Sequence, residues 1–167
     1  MKFSDFPFEL NAMKKKSLLV ALILFGSFPL FSQNYQKDSI QIAEIIHSIF
    51  DGMRESDTSK MVPFMHSEVK MQSLNVGESG NEISQLNGAQ AWLNAVANNE
   101  GKVWNEQVEN LKIHSDGAVA TAWMDYKFYL GENLSHCGIN SFQLIKMDKK
   151  WKIIYIIDSR FNDNCSE

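Results

Sequence analysis

Only two cysteines, Cys137 and Cys165, and four scattered histidines, His47, His66, His114 and His136, occur in the chain. Neither set has the spacing of metal ligands, which argues against a structural zinc. The sequence has no Gly-rich phosphate loop, no nucleophile elbow and no His-Glu-x-x-His pattern, so P-loop, α/β-hydrolase and zincin chemistries have no foothold. Past the first segment, basic residues never cluster beyond Lys149-Lys150, which disfavours nucleic acid or an anionic membrane surface as a partner. No apolar run reaches the ~20 residues that a spanning helix needs, so a stable membrane anchor is not expected. Internal repeats and low-complexity tracts are also missing.

What is present begins with an address-like segment. Met13-Lys14-Lys15-Lys16 is a basic start, and Ser17 to Phe31 is apolar apart from Ser17, Gly26, Ser27 and Pro29. Small Ser32 then precedes polar Gln33, the pattern of a cleavable signal peptide. Residues 1–32 therefore read as an extension plus signal peptide, with Met13 as the true start, and residues 33–167 as a single exported domain. Removing four Lys and two acids with the leader takes the net charge from −4 to −6. Both cysteines lie in the exported part, where an oxidising compartment permits a disulfide. Pairing Cys137 with Cys165 would clip the C-terminal tail to the sheet, a stabilisation of roughly 3 kcal/mol by chain entropy.

Local patterns give the elements. Asp38 with Gln41 resembles a capping box at the start of a helix, and Ile42, Ile46, Ile49 and Met53 follow at helical spacing, widened by Ala43 and Phe50. Asp57 caps a short second helix that Pro63 cuts. Residues 69–74 alternate weakly, as a strand does. Residues 75–87 are polar with Gly77 and Gly80 and read as a loop that caps a cavity. A third helix covers 89–98, with Trp92, Leu93 and Val96 on one side. Strands are expected at about 102–113, 119–130, 137–147 and 151–161, joined by turns at Ser115-Asp116-Gly117, Gly131-Glu132 and Asp148-Lys149. Helices first and a strand meander after make the chain α+β.

The order of Phe50-Asp-Gly-Met-Arg-Glu-Ser-Asp57, a short helix, Gly88-Ala-Gln-Ala-Trp92 and a meander ending in Trp151-Lys-Ile153 resembles the nuclear transport factor 2-like superfamily. Within it, the chain is similar to the SnoaL-like and lumazine-binding-like group of exported bacterial proteins. The resemblance covers nearly all of residues 33–167. It implies a cystatin-like cone: a strongly curved antiparallel sheet wrapped around N-terminal helices, enclosing a pocket, commonly as a homodimer, with no cofactor. It does not imply one activity, because this fold hosts unrelated functions. In the steroid-isomerase branch a helix tyrosine, an aspartate base and a strand aspartic acid do the chemistry. Aligned without gaps these fall at Ile49, Ser73 and Gln143, and none of the three is a base.

Turn positions set the expected faces. One holds Trp123, Asp125, Asn140, Phe142, Leu144, Trp151, Ile153 and Tyr155, and is assigned outward as a dimer surface. The other holds Ala122, Met124, Tyr126, Phe128, Ser141, Gln143, Ile145, Ile154, Ile156, Asp158 and Arg160; the steroid-isomerase comparison makes it the pocket wall. A slip of one residue would exchange parts of these sets. Asp158 and Arg160 share a face ~7 Å apart along the strand, where Arg160 grips an anionic or carbonyl group while Asp158 orients it or acts as a base; a salt bridge at the rim is the plainer alternative. Tyr126, Ser141 and Gln143 offer hydrogen bonds in an apolar wall, with Ile156 beside them. Trp92 is placed either to stack on a planar ring or to fill core. The expected function is binding of a small hydrophobic or aromatic ligand. The alternatives are a cofactor-free lyase, isomerase or cyclase using Asp158 with a histidine, and a protein-interaction module working through the outer face.

Overall fold

The structure is a computed structural model that describes residues 30–86, 88–162 and 165. The extension, the basic start and most of the apolar run of the leader lie outside the described residues.

Helix α1 spans Leu30–Glu55 and carries a continuous apolar stripe, Ile42, Ile45, Ile46, Ile49, Phe50 and Met53, all buried. It starts well before Asp38, so the capping-box reading is corrected. Asp38 sits within the helix, buried, and accepts hydrogen bonds from Trp151 Nε1 at 3.2 Å and from Lys146 Nζ. That cluster bolts the helix to the sheet through a charge that would be costly to bury alone. The predicted second helix is two single 3₁₀ turns, Thr58–Lys60 and Val62–Phe64. Asp57 caps the first by accepting from Ser59 N at 3.0 Å, and Pro63 sits in the first turn of the second, where its missing N–H is harmless. Met61 fits against Gly52 of α1, where an added Cβ would come within 2.6 Å of its Cγ.

The remaining elements are β1 (Met65–Gly77), β2 (Gly80–Leu86), α2 (Ala89–Ala97), β3 (Trp104–Ser115), β4 (Val119–Leu130), β5 (Asn133–Met147) and β6 (Lys150–Phe161). They form one six-stranded sheet in the order β2-β1-β6-β5-β4-β3. Neighbouring pairs run antiparallel except β1 with β6, which run parallel, so the curved sheet is mixed and not wholly antiparallel. The expected capping loop at 75–87 is instead mostly strand: it completes β1 and supplies the edge strand β2.

Three one-residue irregularities bend the strands and decide which side chains face in. In β3, Asn110 takes a positive φ of 53° and Asn110-Leu111 together oppose Met124. In β5, Ser135 is the extra residue between Leu134 and His136, opposite Phe128-Tyr129. In β6, Ile154 is extra between Ile153 and Tyr155. The concave face therefore carries Ala120, Ala122, Met124 and Tyr126 from β4, Asn140, Phe142 and Leu144 from β5, and Trp151, Ile153, Ile156 and Asp158 from β6. Phe142 packs edge-on against Phe50 at 6.0 Å, tying the core to α1.

Half of the face assignment thus changes. The β4 residues and Ile156, Asp158 and Arg160 face inward as expected. The β5 set is reversed: Asn140, Phe142 and Leu144 point in, whereas Ser141 and Gln143 pair with Trp123 and Thr121 on the convex side. Trp151 and Ile153, assigned to the outer surface, are buried core. The physical reason is the Ser135 bulge. It shifts the β4–β5 register by one and carries the following β5 side chains, with Trp151 and Ile153 paired to them, through the sheet. The extra Ile154 then returns Ile156, Asp158 and Arg160 to the expected face.

Candidate functional site

Beneath α2 the concave face leaves a hollow in two parts. An inner pit of about 60 Å³ is lined by Phe50, Ser73, Glu106, Asn140, Phe142 and Asp158 among others. An outer chamber of about 370 Å³ lies between Met53, Ala91 and Ala95 on the helices and Trp104, Phe128 and Leu130 on the sheet. Trp92, Glu106, His136 and Arg160 line both parts.

Each polar group reaches this point for a local reason. Asp158 and Arg160 alternate along β6, so they share its inner face, and Arg160 Nε donates to Asp158 Oδ2 at 2.7 Å. The pair is graded in depth, with Asp158 12 % and Arg160 38 % exposed at the side chain. Asp158 also accepts from Ser73 Oγ on β1 at 2.6 Å and from Tyr126 Oη at 3.3 Å, while Tyr126 Oη lies 3.0 Å from the Ser159 carbonyl. A carboxylate held by Arg160 and Ser73, with the one Tyr126 hydroxyl proton shared between it and the nearer Ser159 carbonyl, is fixed in place, which suits an orienting role. On the opposite side, Asn140 Nδ2 donates to Glu106 Oε1 at 2.5 Å. His136 lies over Phe128 at 5.0 Å and meets Tyr126 edge-on at 5.7 Å. Its Nδ1 is 3.1 Å from Ser135 Oγ, the extra residue of the bulge that turns it inward.

Burial sets the protonation states. It pushes the Glu106 carboxyl up from 4.5 to about 7, and the neighbouring Asp158 charge adds to the rise while the Asn140 amide and Arg160 oppose it. Burial pushes His136 down from 6.5 to about 4, with Arg160 assisting, so the imidazole is neutral at physiological pH. Tyr126 is held above its ordinary range, first by burial and then by the Asp158 and Glu106 charges.

Of the residues singled out from sequence, Trp92, Tyr126, Ile156, Asp158 and Arg160 meet in this hollow, and Ser141 and Gln143 do not. Glu106, Asn140 and His136 were not expected in it, and Ser73 stood only as the place of the isomerase aspartate base. For Glu106 a signal existed: Trp104, Glu106 and Val108 alternate, so the acid shares a face with two apolar residues. Cys137 and Cys165 are joined, with an S–S distance of 2.09 Å and Cα atoms 5.7 Å apart, and the bridge sits away from the hollow against Phe161 on the other side of the sheet. Among the described residues, no group of three His, Cys, Asp or Glu could hold a metal ion, and no helix is long and apolar enough to cross a membrane.

The same architecture occurs in solved structures. The chain superposes on an NTF2-like protein of unknown function from Shewanella baltica with TM-score 0.60 at 18% identity, covering 76% of this chain and 96% of that one. It superposes on a protein of unknown function from Mycobacterium tuberculosis with TM-score 0.64 at 15% identity, over 81% and 78%. An NTF2-like protein with a cystatin-like fold from Novosphingobium aromaticivorans matches over 93% and 94% with TM-score 0.57 at 10% identity. The fold is nuclear transport factor 2-like. No family model matches the sequence, and no curated protein does. At these identities the likeness extends to the NTF2-like fold and no further, so function has to be argued from the hollow itself.

Proposed function

We propose that the concave hollow of this NTF2-like domain binds a small molecule with an apolar or aromatic body and a polar end. The observation that carries this reading is the division of labour in the cavity. Aromatic and aliphatic walls (Trp92, Trp104, Phe128, Leu130) line the chamber, while Glu106, Asn140, Asp158 and Arg160 converge at its inner end. That is the usual composition of a specific ligand site, with few polar groups fixing orientation in an apolar pocket.

Native mass spectrometry of the purified chain tests it. A bound small molecule is expected, and Ala95→Trp, which fills the chamber from an exposed position on α2, is expected to remove it without changing the circular dichroism spectrum. An A95W variant that retains the molecule at full occupancy would contradict the reading.

A second reading, cofactor-free lyase, isomerase or cyclase chemistry with Asp158 and a histidine, draws on His136 and Asp158 lining the same pit. Asp158→Asn separates the two: binding survives in the first and turnover is lost in the second. Two further parts of the proposal concern context. Export follows from the leader-like segment of residues 1–32. A homodimer through the convex face is supported by Trp123, 50% exposed there, with Val119 on the same strand also exposed.

A further inference from the structure

We infer that the ligand is a protonated amine with an aromatic or apolar body, seated with its nitrogen against Glu106. This rests on the binding reading above and narrows it to a chemical class. The hollow contains two carboxyl groups and one guanidinium, and the guanidinium's charge is already paired with one of the two. Arg160 reaches Asp158 through both Nε, at 2.7 Å, and Nη2, at 3.5 Å, and Asp158 is further satisfied by the Ser73 and Tyr126 hydroxyls. Glu106 has a neutral partner only, the Asn140 amide. Ionised, it leaves the cavity one negative charge in excess, because Arg160, whose charge also acts on Glu106, is hydrogen-bonded to Asp158.

The other groups facing Glu106 do not alter that balance. They are Tyr126 from β4, His136 from β5, and Asp158 and Arg160 from β6; Ser73 of β1 is uncharged, and α1 and α2 contribute only Phe50, Met53, Ala91, Trp92 and Ala95. His136 is neutral above about pH 4 and supplies no charge. A ligand ammonium would provide the missing cation in a half-buried site, where an ion pair is stronger than at the open surface. The walls suit the same ligand. Trp104 and Phe128 meet edge-to-face at 5.9 Å, and Trp92 lines the chamber from α2, so aromatic rings of the kind that attract organic cations surround the approach to Glu106. A carboxylate ligand would meet repulsion in the same place, and a neutral alcohol would leave Glu106 uncompensated.

The proton follows from linkage. An ammonium at Glu106 favours its ionised form, so binding releases the carboxyl proton near neutral pH, and affinity rises as pH increases through about 7.

Isothermal titration with three probes of one shape, phenethylamine, 2-phenylethanol and 3-phenylpropanoate, tests the inference at about pH 8 and about pH 5.5, on either side of the Glu106 midpoint. At the higher pH the amine is expected to bind at least ~10-fold tighter than the alcohol, with the carboxylate weakest, and at the lower pH the gap is expected to shrink to about threefold or less. Glu106→Gln is expected to bring the amine-to-alcohol ratio to about one. Independently of any variant, titrating the amine in two buffers of different ionisation heat is expected to reveal proton release at about pH 6.5. The inference is overturned if the alcohol or the carboxylate matches the amine, if the E106Q ratio equals that of the parent chain, or if no proton is released. If none of the three probes binds at about 10 mM, the small-molecule reading itself falls, which is a different result from binding without a preference for the amine.

Discussion

Glu106 and His136 sit in one hollow, and burial shifts both toward their neutral forms, which moves their midpoints in opposite directions. The folded-state midpoint of Glu106 lies above the unfolded one. Its contribution to stability is therefore complete below pH 4.5 and is lost as pH rises through about 7. His136 is depressed, so its contribution is complete above pH 6.5 and is lost as pH falls through about 4. Between those limits the two slopes oppose each other. Glu106→Gln is expected to expose the histidine slope: relative to the parent chain, stability falls by roughly 2–3 kcal/mol between pH 6.5 and 4.5. His136→Phe is expected to expose the opposite slope, with stability falling as pH rises through the same interval. Urea denaturation at several pH values reads both, and parallel curves for parent and variants would show that neither side chain is buried as described. At this scale the sequence was only partly legible. Asp158 and Arg160 are visible as alternate residues on one strand, whereas the inward turn of His136 depends on Ser135, which nothing local marks as extra.

At the scale of elements, α1, α2 and the four strands of the meander follow from helical spacing, alternation and turn residues. The register does not. Bulges at Asn110, Ser135 and Ile154 each insert one residue into an otherwise plausible alternation, and Ser135 alone moves Ser141 and Gln143 from the expected pocket wall to the convex side. The parallel β1–β6 pairing is equally hidden, because it joins segments far apart in sequence whose contact depends on the whole fold. One glycine shows how tightly the bent region is built. A Cβ on Gly138 would lie 1.9 Å from the Ser159 carbonyl oxygen, so β5 and β6 close up there only without a side chain. Gly138→Ala is expected to destabilise the fold by about 2 kcal/mol or more. A urea midpoint within error of the parent's would contradict that close approach.

For the whole molecule, the disulfide and the hollow are separate devices. Cys137–Cys165 spans 28 residues and fastens the tail to β5, away from the residues that line the cavity. Cys165→Ser is expected to lower stability by roughly 3 kcal/mol while leaving the affinity for an amine probe unchanged. Loss of affinity in that variant would mean that the tail shapes the site. The helix-on-curved-sheet architecture was readable from the order of helix, short turns, helix and meander. The chemistry within it was less so, because a cavity is a product of curvature, and curvature comes from the bulges.

The account depends most on Glu106 lying half-buried at the inner end of an aromatic-walled hollow. Carbon-detected NMR titration of the side-chain carboxyls, with the Glu106 resonance assigned by its absence in E106Q, measures this directly. The predicted result is a midpoint at about 7 in the free chain, moving downward when phenethylamine is added. A Glu106 carboxyl that titrates at its ordinary 4.5 and ignores the amine would contradict both the desolvation of Glu106 in the hollow and the ligand assigned to it.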